Sequence, residues 1–193
     1  MLFRSAINEL FAKLATLTKE DILVLAGSIP NTLPEDIYEK ILARLESKGI
    51  RVVVDATKDL LLNVLKYHPF LIKPNNHELG EIFGTVCKTD EDIVHYAKKL
   101  QEKGAVNVLI SMAGDGAILI TEDGQNIKMG TPKGKVVNSV GAGDSMVAGF
   151  IFGYLQSGDY RDALKLGTAC GSATAFSAGL AEKEKVEELM KIL

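Results

Sequence analysis

No window of the sequence approaches the ~18 consecutive apolar residues that a membrane-spanning helix requires. The opening run Met1-Leu2-Phe3-Arg4-Ser5 lacks the basic-then-apolar layout of a secretory signal. Both absences point to the cytoplasm and away from a membrane partner. Cysteine is scarce. Cys87 and Cys170 stand far apart and match no metal-ligand spacing, so two reduced thiols are expected. Neither sign of charge dominates: a net charge of -3 and a pI near 5.7 leave no basic footprint for nucleic acid. Phosphate groups remain admissible partners, because backbone N–H groups bind them without formal charge. Repeats, linkers and low-complexity segments are also missing, and 47% hydrophobic with 24% charged residues is the balance of a folded globular chain.

Helical and strand patterns alternate through most of the chain. Ile7, Leu10, Phe11, Leu14 and Leu17 recur at helical spacing. A buried strand follows over 21–26. Pro34 with Glu35 and Asp36 predicts a helix start, since proline loses nothing in a first turn and acids suit the positive end; that helix runs to about Lys48 and stops at Gly49. Further strands are expected over 51–55, 70–72 and 106–111, with helices over 59–66, from about His77, and over 90–103. Strands over 117–121 and 125–129 are joined by Glu122-Asp123-Gly124, a hairpin signal. Beyond Val137 the chain reads as helical to its end, with breaks near Gly158 and Gly179. Apolar strands alternating with helices imply an α/β fold, a doubly wound and mostly parallel sheet flanked by helices, as one unit over 1–193.

The strongest chemical signal is Asn138-Ser139-Val140-Gly141-Ala142-Gly143-Asp144-Ser145 ahead of an apolar helical run. Two glycines allow a tight turn, and the helix that starts there offers unpaired N–H groups and a positive dipole end to an anion. An aspartate so placed is also an ordinary helix cap. A dinucleotide fingerprint would need glycine at Met146, and no G-x-x-x-x-G-K-[ST] loop exists; Gly134-Lys135 is followed by valine. In Lys73-Pro74-Asn75-Asn76-His77-Glu78, proline fixes an extended strand exit. Asn75 and Glu78 then point together from the end of a parallel strand, either as a cap with an acid in the first turn or as ligand groups. His77 has no second histidine at zinc-protease spacing and reads as a surface residue. Ser111-Met112-Ala113-Gly114-Asp115-Gly116 reads as a turn between strands. Gly27-Ser28 after the first strand either cradles a phosphate or turns the chain. Gly171-Ser172-Ala173-Thr174-Ala175 reads as tight helix packing.

Val-Gly-Ala-Gly-Asp-Ser-Met-Val-Ala-Gly over 140–149 resembles the C-terminal signature of the ribokinase-like carbohydrate kinases. Lys73-Pro74-Asn75-Asn76-His77-Glu78 is similar to that family's N-x-x-E motif. The resemblance implies ATP-dependent phosphorylation of a sugar hydroxyl, with Asp144 as general base and Gly141, Ala142 and Gly143 as anion hole. It implies that Asn75 and Glu78 hold the nucleotide's Mg²⁺ through water, which suits an ion that needs few protein carboxylates. It places Lys73 on the γ-phosphate; Ser111, Gly114, Gly116 and Ser139 near the nucleotide; Ser172 beside the adenine; and Gly27 and Ser28 at the substrate's phosphate. Ala113 stands where the family has the turn's first glycine, Ala26 where it has a serine, and Asn138-Ser139 where it usually has Asp-Thr. The branch resembled acts on sugar phosphates, with fructose 1-phosphate the expected acceptor and tagatose 6-phosphate or fructose 6-phosphate the alternatives. A catalytically impaired nucleotide-binding fragment is the reading from a different class. The resemblance also implies that an amino-terminal portion of ~110–120 residues, the size of a compact domain and bearing the lid and main sugar-binding groups, has no counterpart here. A homodimer, or self-association through the surface thereby exposed, is the expected assembly.

Overall fold

The computed structural model describes residues 2–193. Its framework is a six-stranded sheet in the order β1-β2-β3-β4-β5-β6. The strands are β1 (Ile22–Ala26), β2 (Arg51–Asp55), β3 (Leu71–Ile72), β4 (Asn107–Ser111), β5 (Ala117–Ile120) and β6 (Asn126–Met129). β1 to β4 run parallel, β5 pairs antiparallel with β4, and β6 pairs antiparallel with β5. The helices are α1 (Leu2–Ala15), α2 (Ile37–Leu45), α3 (Lys58–Val64), α4 (Asn76–Phe83), α5 (Asp90–Glu102), α6 (Ala142–Ser157), α7 (Tyr160–Ala175) and α8 (Lys183–Met190).

Strand periodicity decides which side chain meets which layer. Val52, Val54, Ile72, Val108 and Ile110 point to the face covered by the crossover helices, where Ile41, Leu61, Leu79 and Ile93 pack on them. The alternate residues Val53, Leu71 and Leu109 point to the other face, onto Met146, Val147 and Phe150 of α6 and Ala163 and Leu164 of α7. The sheet is therefore mostly parallel with helices on both faces, as the apolar strands imply. Strand order never reverses within it, so the second helical layer comes from the segment after β6 and not from crossovers.

Local chemistry sets the element ends. The second helix begins at Ile37, with Asp36 as its N-cap residue, and not at Pro34. Its last turn tightens over Glu46–Lys48 and ends at Gly49 with φ 67°, a conformation glycine adopts without a Cβ clash. β3 is only two residues long because Pro74 has no N–H to continue the ladder. The β4–β5 connection turns through Ala113 at φ 48°. At Gly116 a Cβ would lie 1.9 Å from the Met129 carbonyl oxygen, so packing against β6 alone requires this glycine.

α6 and α7 pack through glycines on both partners. A Cβ at Gly149 would meet Cys170 Sγ at 2.7 Å, one at Gly167 the Met146 carbonyl at 2.9 Å, and one at Gly171 the Ala142 carbonyl at 3.0 Å. Small residues let the two backbones close to a distance that larger side chains forbid, and this explains the composition around Ser172. None of the helices among the described residues is long and apolar enough to cross a membrane.

Candidate active site

The carboxyl ends of the parallel strands form one rim, and most of the residues singled out from the sequence lie on it. β1 exits into Gly27, at φ 83°, and Ser28; both are exposed. The Gly27 N–H donates to the Asp55 carbonyl at 3.0 Å, tying this exit to the end of β2. Just past β3, the Lys73 N–H donates to the Val54 carbonyl at 3.2 Å. Asn75 bridges in parallel to Ser111 at the end of β4, and the Ser111 N–H donates to the Pro74 carbonyl at 3.2 Å. Neighbouring strand ends thus hold one another in register.

Asn75 and Glu78 form a reciprocal cap for α4. The Asn75 Oδ1 accepts from the N–H groups of His77 and Glu78, each at 2.9 Å, and Glu78 Oε2 accepts from the Asn75 N–H at 2.8 Å. Capping is therefore realised, and it consumes one carboxylate oxygen of Glu78; Oε1 has no partner among the described residues. His77 is exposed, as expected.

Asp144 behaves differently. The N-cap position of α6 belongs to Gly141, at φ 79°, and no side chain caps this helix. Asp144 lies in the first turn, exposed, and its carboxylate makes no hydrogen bond or ion pair among the described residues. The Ala142 N–H is spent on the Ser139 carbonyl at 3.2 Å, which removes Ala142 from the free anion-hole donors. The N–H groups of Gly141, Gly143 and Asp144 have no acceptor among the described residues and lie at the positive end of the helix.

Lys73 approaches this helix end from the side: a Cβ added to Gly143 would lie 3.2 Å from Lys73 Nζ. The Lys73 side chain is 8% exposed and pairs with Asp55 Oδ1 at 3.3 Å. Burial pushes the Asp55 carboxyl above its ordinary range; the Lys73 charge and hydrogen bond hold it back, and Asp144 and Glu78 repel it further. Asp55, Asp144 and Glu78 are thus near enough for their charges to act on one another, and Asp55 alone of the three pairs with the ammonium among the described residues. Tyr38 of α2 donates to the Ala26 carbonyl at 2.8 Å, and burial followed by the Asp55 charge raises its phenol.

Asp55 is the residue that sequence reasoning missed. Its signal was an acid ending the all-apolar run Val52-Val53-Val54. Two expected nucleotide contacts have structural explanations as well: Gly116 is demanded by β6, and Ser172 is buried in the α6–α7 packing. Gly114 and Ser139 are exposed, and the Gly114 carbonyl accepts from Thr131 Oγ1 at 2.6 Å. A surface groove of about 340 Å³ beside α4, lined by Gly80, Gly84, Val86 and Cys87 among others, contains none of Lys73, Asn75, Glu78 or Asp144.

Chemically, the rim offers an unpaired exposed carboxylate, amides without acceptors and a buried ammonium within one small region. Residues 1–186 match the pfkB family carbohydrate kinase model. The chain belongs to the pfkB family of carbohydrate kinases. Within it, the chain is 50% identical over 175 residues to a 1-phosphofructokinase of Bacillus subtilis, covering 91% of this chain and 57% of the relative. It is 35% identical over 182 residues to a D-tagatose-1-phosphate kinase of Bacillus licheniformis, covering 94% and 60%. The backbone superposes with a TM-score of 0.91 on a candidate phosphofructokinase from Staphylococcus aureus, at 41% identity, covering 95% of this chain and 60% of that one. This pfkB-family chain therefore spans 57% to 60% of the length of these relatives.

Proposed function

We propose that the chain carries the nucleotide-binding and catalytic-base part of an ATP-dependent sugar-phosphate kinase that converts fructose 1-phosphate to fructose 1,6-bisphosphate. The observation that carries this reading is Asp144, exposed and unpaired beside the acceptor-free amides of Gly141 and Gly143. A capping aspartate would be engaged with its helix; this one is available to a substrate. In the proposed step, Asp144 takes the proton from the acceptor hydroxyl at a hydrogen-bond distance of ~2.6–3.2 Å, and the alkoxide oxygen displaces the nucleoside diphosphate. The Gly141 and Gly143 amides and the Lys73 ammonium meet the charge on the transferring phosphoryl oxygens. Gly27 and Ser28 lie on the same rim for the substrate's own phosphate, with Ser111, Gly114 and Ser139 on the nucleotide side.

Mg²⁺ fits the residues present in one way. No group of three acids, histidines or cysteines among the described residues could hold a metal directly. Glu78 keeps one free carboxylate oxygen beside Asn75, which suits an ion that arrives on the nucleotide and keeps its water shell. Mg²⁺ held there would neutralise the β- and γ-phosphates.

Tagatose 1-phosphate becomes a second acceptor to consider, because of the Bacillus licheniformis relative. A cytoplasmic setting agrees with two free thiols. Self-association is the assembly we favour: β1 is an open edge with Val24 43% exposed, and α6 exposes Phe152 and Leu155 on its solvent side.

The deciding experiment is phosphate transfer from Mg·ATP to fructose 1-phosphate, tagatose 1-phosphate, tagatose 6-phosphate and fructose 6-phosphate. It is run on this chain and on a chimera carrying the amino-terminal part of the Bacillus subtilis relative ahead of it. Turnover of fructose 1-phosphate above the others supports the proposal. Absence of turnover with every acceptor in both proteins, with nucleotide bound, overturns the kinase reading.

A further inference from the structure

The Lys73 ammonium occupies a costly position. It is nearly out of water, and it lies at the positive end of α6, where a helix favours anions and disfavours cations. Among the described residues only Asp55 comes within ion-pair distance of it. Glu78 and Asp144 act on Asp55 through their charges but form no ion pair with Lys73. Both members of the pair are anchored by strand ends. Asp55 closes β2, where its carbonyl takes the Gly27 N–H, and Lys73 follows β3, with its N–H on Val54. Side chains fixed on adjacent strands hold geometry better than side chains on loops.

An ammonium has three donors. Asp55 Oδ1 lies 3.3 Å from that of Lys73, a Cβ on Gly143 of α6 would lie 3.2 Å from it, and no second carboxylate among the described residues comes within ion-pair distance. We infer that Asp55 is a positioning residue: it holds Lys73 in place beside the Gly143 amide, so that the two residues act as one unit in receiving a phosphate group. Asp55 touches no substrate in this arrangement and works only through Lys73. The inference rests on the reading of Lys73 as phosphate-facing.

Two measurements on the 193-residue chain test it. The first needs no nucleotide: lysines are acylated with an amine-selective reagent, and labelling is quantified by mass spectrometry. Lys73 is expected to react slowly in the wild type and on the order of tenfold faster in Asp55→Asn, which removes the charge and keeps the shape. Lys48, held on the Ala15 and Leu17 carbonyls, reports whether the fold has loosened and should not change. Unchanged Lys73 labelling would overturn the inference.

The second is calorimetric binding of Mg·ATP to Asp55→Ala, Lys73→Met and the double variant. Each single change should weaken binding on the order of tenfold, and the double should be no weaker than Lys73→Met alone, because a residue that acts only through another adds nothing once that other is gone. A merely structural Asp55 would give losses that add, and additive losses overturn the inference. If Asp55→Ala melts too early to assay, Asp55→Asn replaces it in the same cycle. Mg·ATP binding by neither the chain nor the chimera would sink the kinase reading, whereas binding with unchanged labelling or additive losses sinks only the role given to Asp55.

Discussion

Gly143→Ala separates stability from function at one position. Gly143 is the second residue of α6 and has no left-handed backbone, so alanine is conformationally allowed there. Within a helix, glycine to alanine contributes about 0.8–1.0 kcal/mol of propensity, less in the first turn. Against this stands one close contact, the new methyl 3.2 Å from Lys73 Nζ. That neighbour is the end of a flexible chain and can withdraw by a few tenths of an ångström. The net effect on folding should lie between zero and a gain of about 1 kcal/mol, a rise of at most ~2–4 °C in Tm for a chain of this length. Function should move the other way, because the methyl occupies the space in front of the helix amides and displaces Lys73 from it. Losing one charge-assisted hydrogen bond to phosphate costs about 1.5–3 kcal/mol, roughly a ten- to hundredfold loss of Mg·ATP affinity. Thermal melts and calorimetry on the same preparation read both quantities. A variant that melts several degrees lower would refute the packing argument. One that binds Mg·ATP as well as the wild type would refute the placement of phosphate at this helix end.

Three further outcomes follow from the same structure. Ala113 is held at φ 48°, where an L-residue loses about 1–2 kcal/mol that glycine does not; after glycine's own entropy cost, Ala113→Gly should stabilise by about 0.5–1 kcal/mol in denaturant unfolding, and a destabilised variant would contradict the turn geometry. Burial raises both thiols above the ordinary cysteine range, so near pH 8 the thiolate fraction is depressed at both sites; Cys87 and Cys170 should react with a disulfide reagent far more slowly in the folded chain than after unfolding, and a fast native thiol would refute this. Sedimentation should show self-association that weakens in Val24→Lys, whereas a monomer at every concentration would remove the role given to the β1 edge.

Much of the fold was legible because its signals are local. Apolar strands ending at Gly27, Asp55, Pro74 and Ser111 predicted the parallel sheet, and Asp123-Gly124 predicted the hairpin of β5 and β6. The glycine-rich turn before α6 was equally readable, since backbone conformation demands those residues. What escaped depends on register between strands. Asp55 reads as a common strand-exit acid until β2 and β3 are paired and Lys73 is found beside it. Sequence also could not separate coincident demands on one residue. Gly116 serves the contact with Met129 whatever else it meets, the small residues of α7 serve the approach of α6, and Asn75 with Glu78 cap α4 whether or not a metal comes near. Ala142 lost its place among the free donors because its N–H turns back to Ser139, a detail of one turn that composition does not encode.

The central claim is that Asp144 acts as the base, and Asp144→Asn tests it most directly. The substitution keeps the shape of an exposed side chain with no partner, so fold stability and Mg·ATP binding should be unchanged. Turnover of fructose 1-phosphate, in whichever of the chain and the chimera is active, should fall by roughly 10²–10⁴-fold, the usual contribution of a positioned general base. Near-normal turnover in Asp144→Asn would contradict the account.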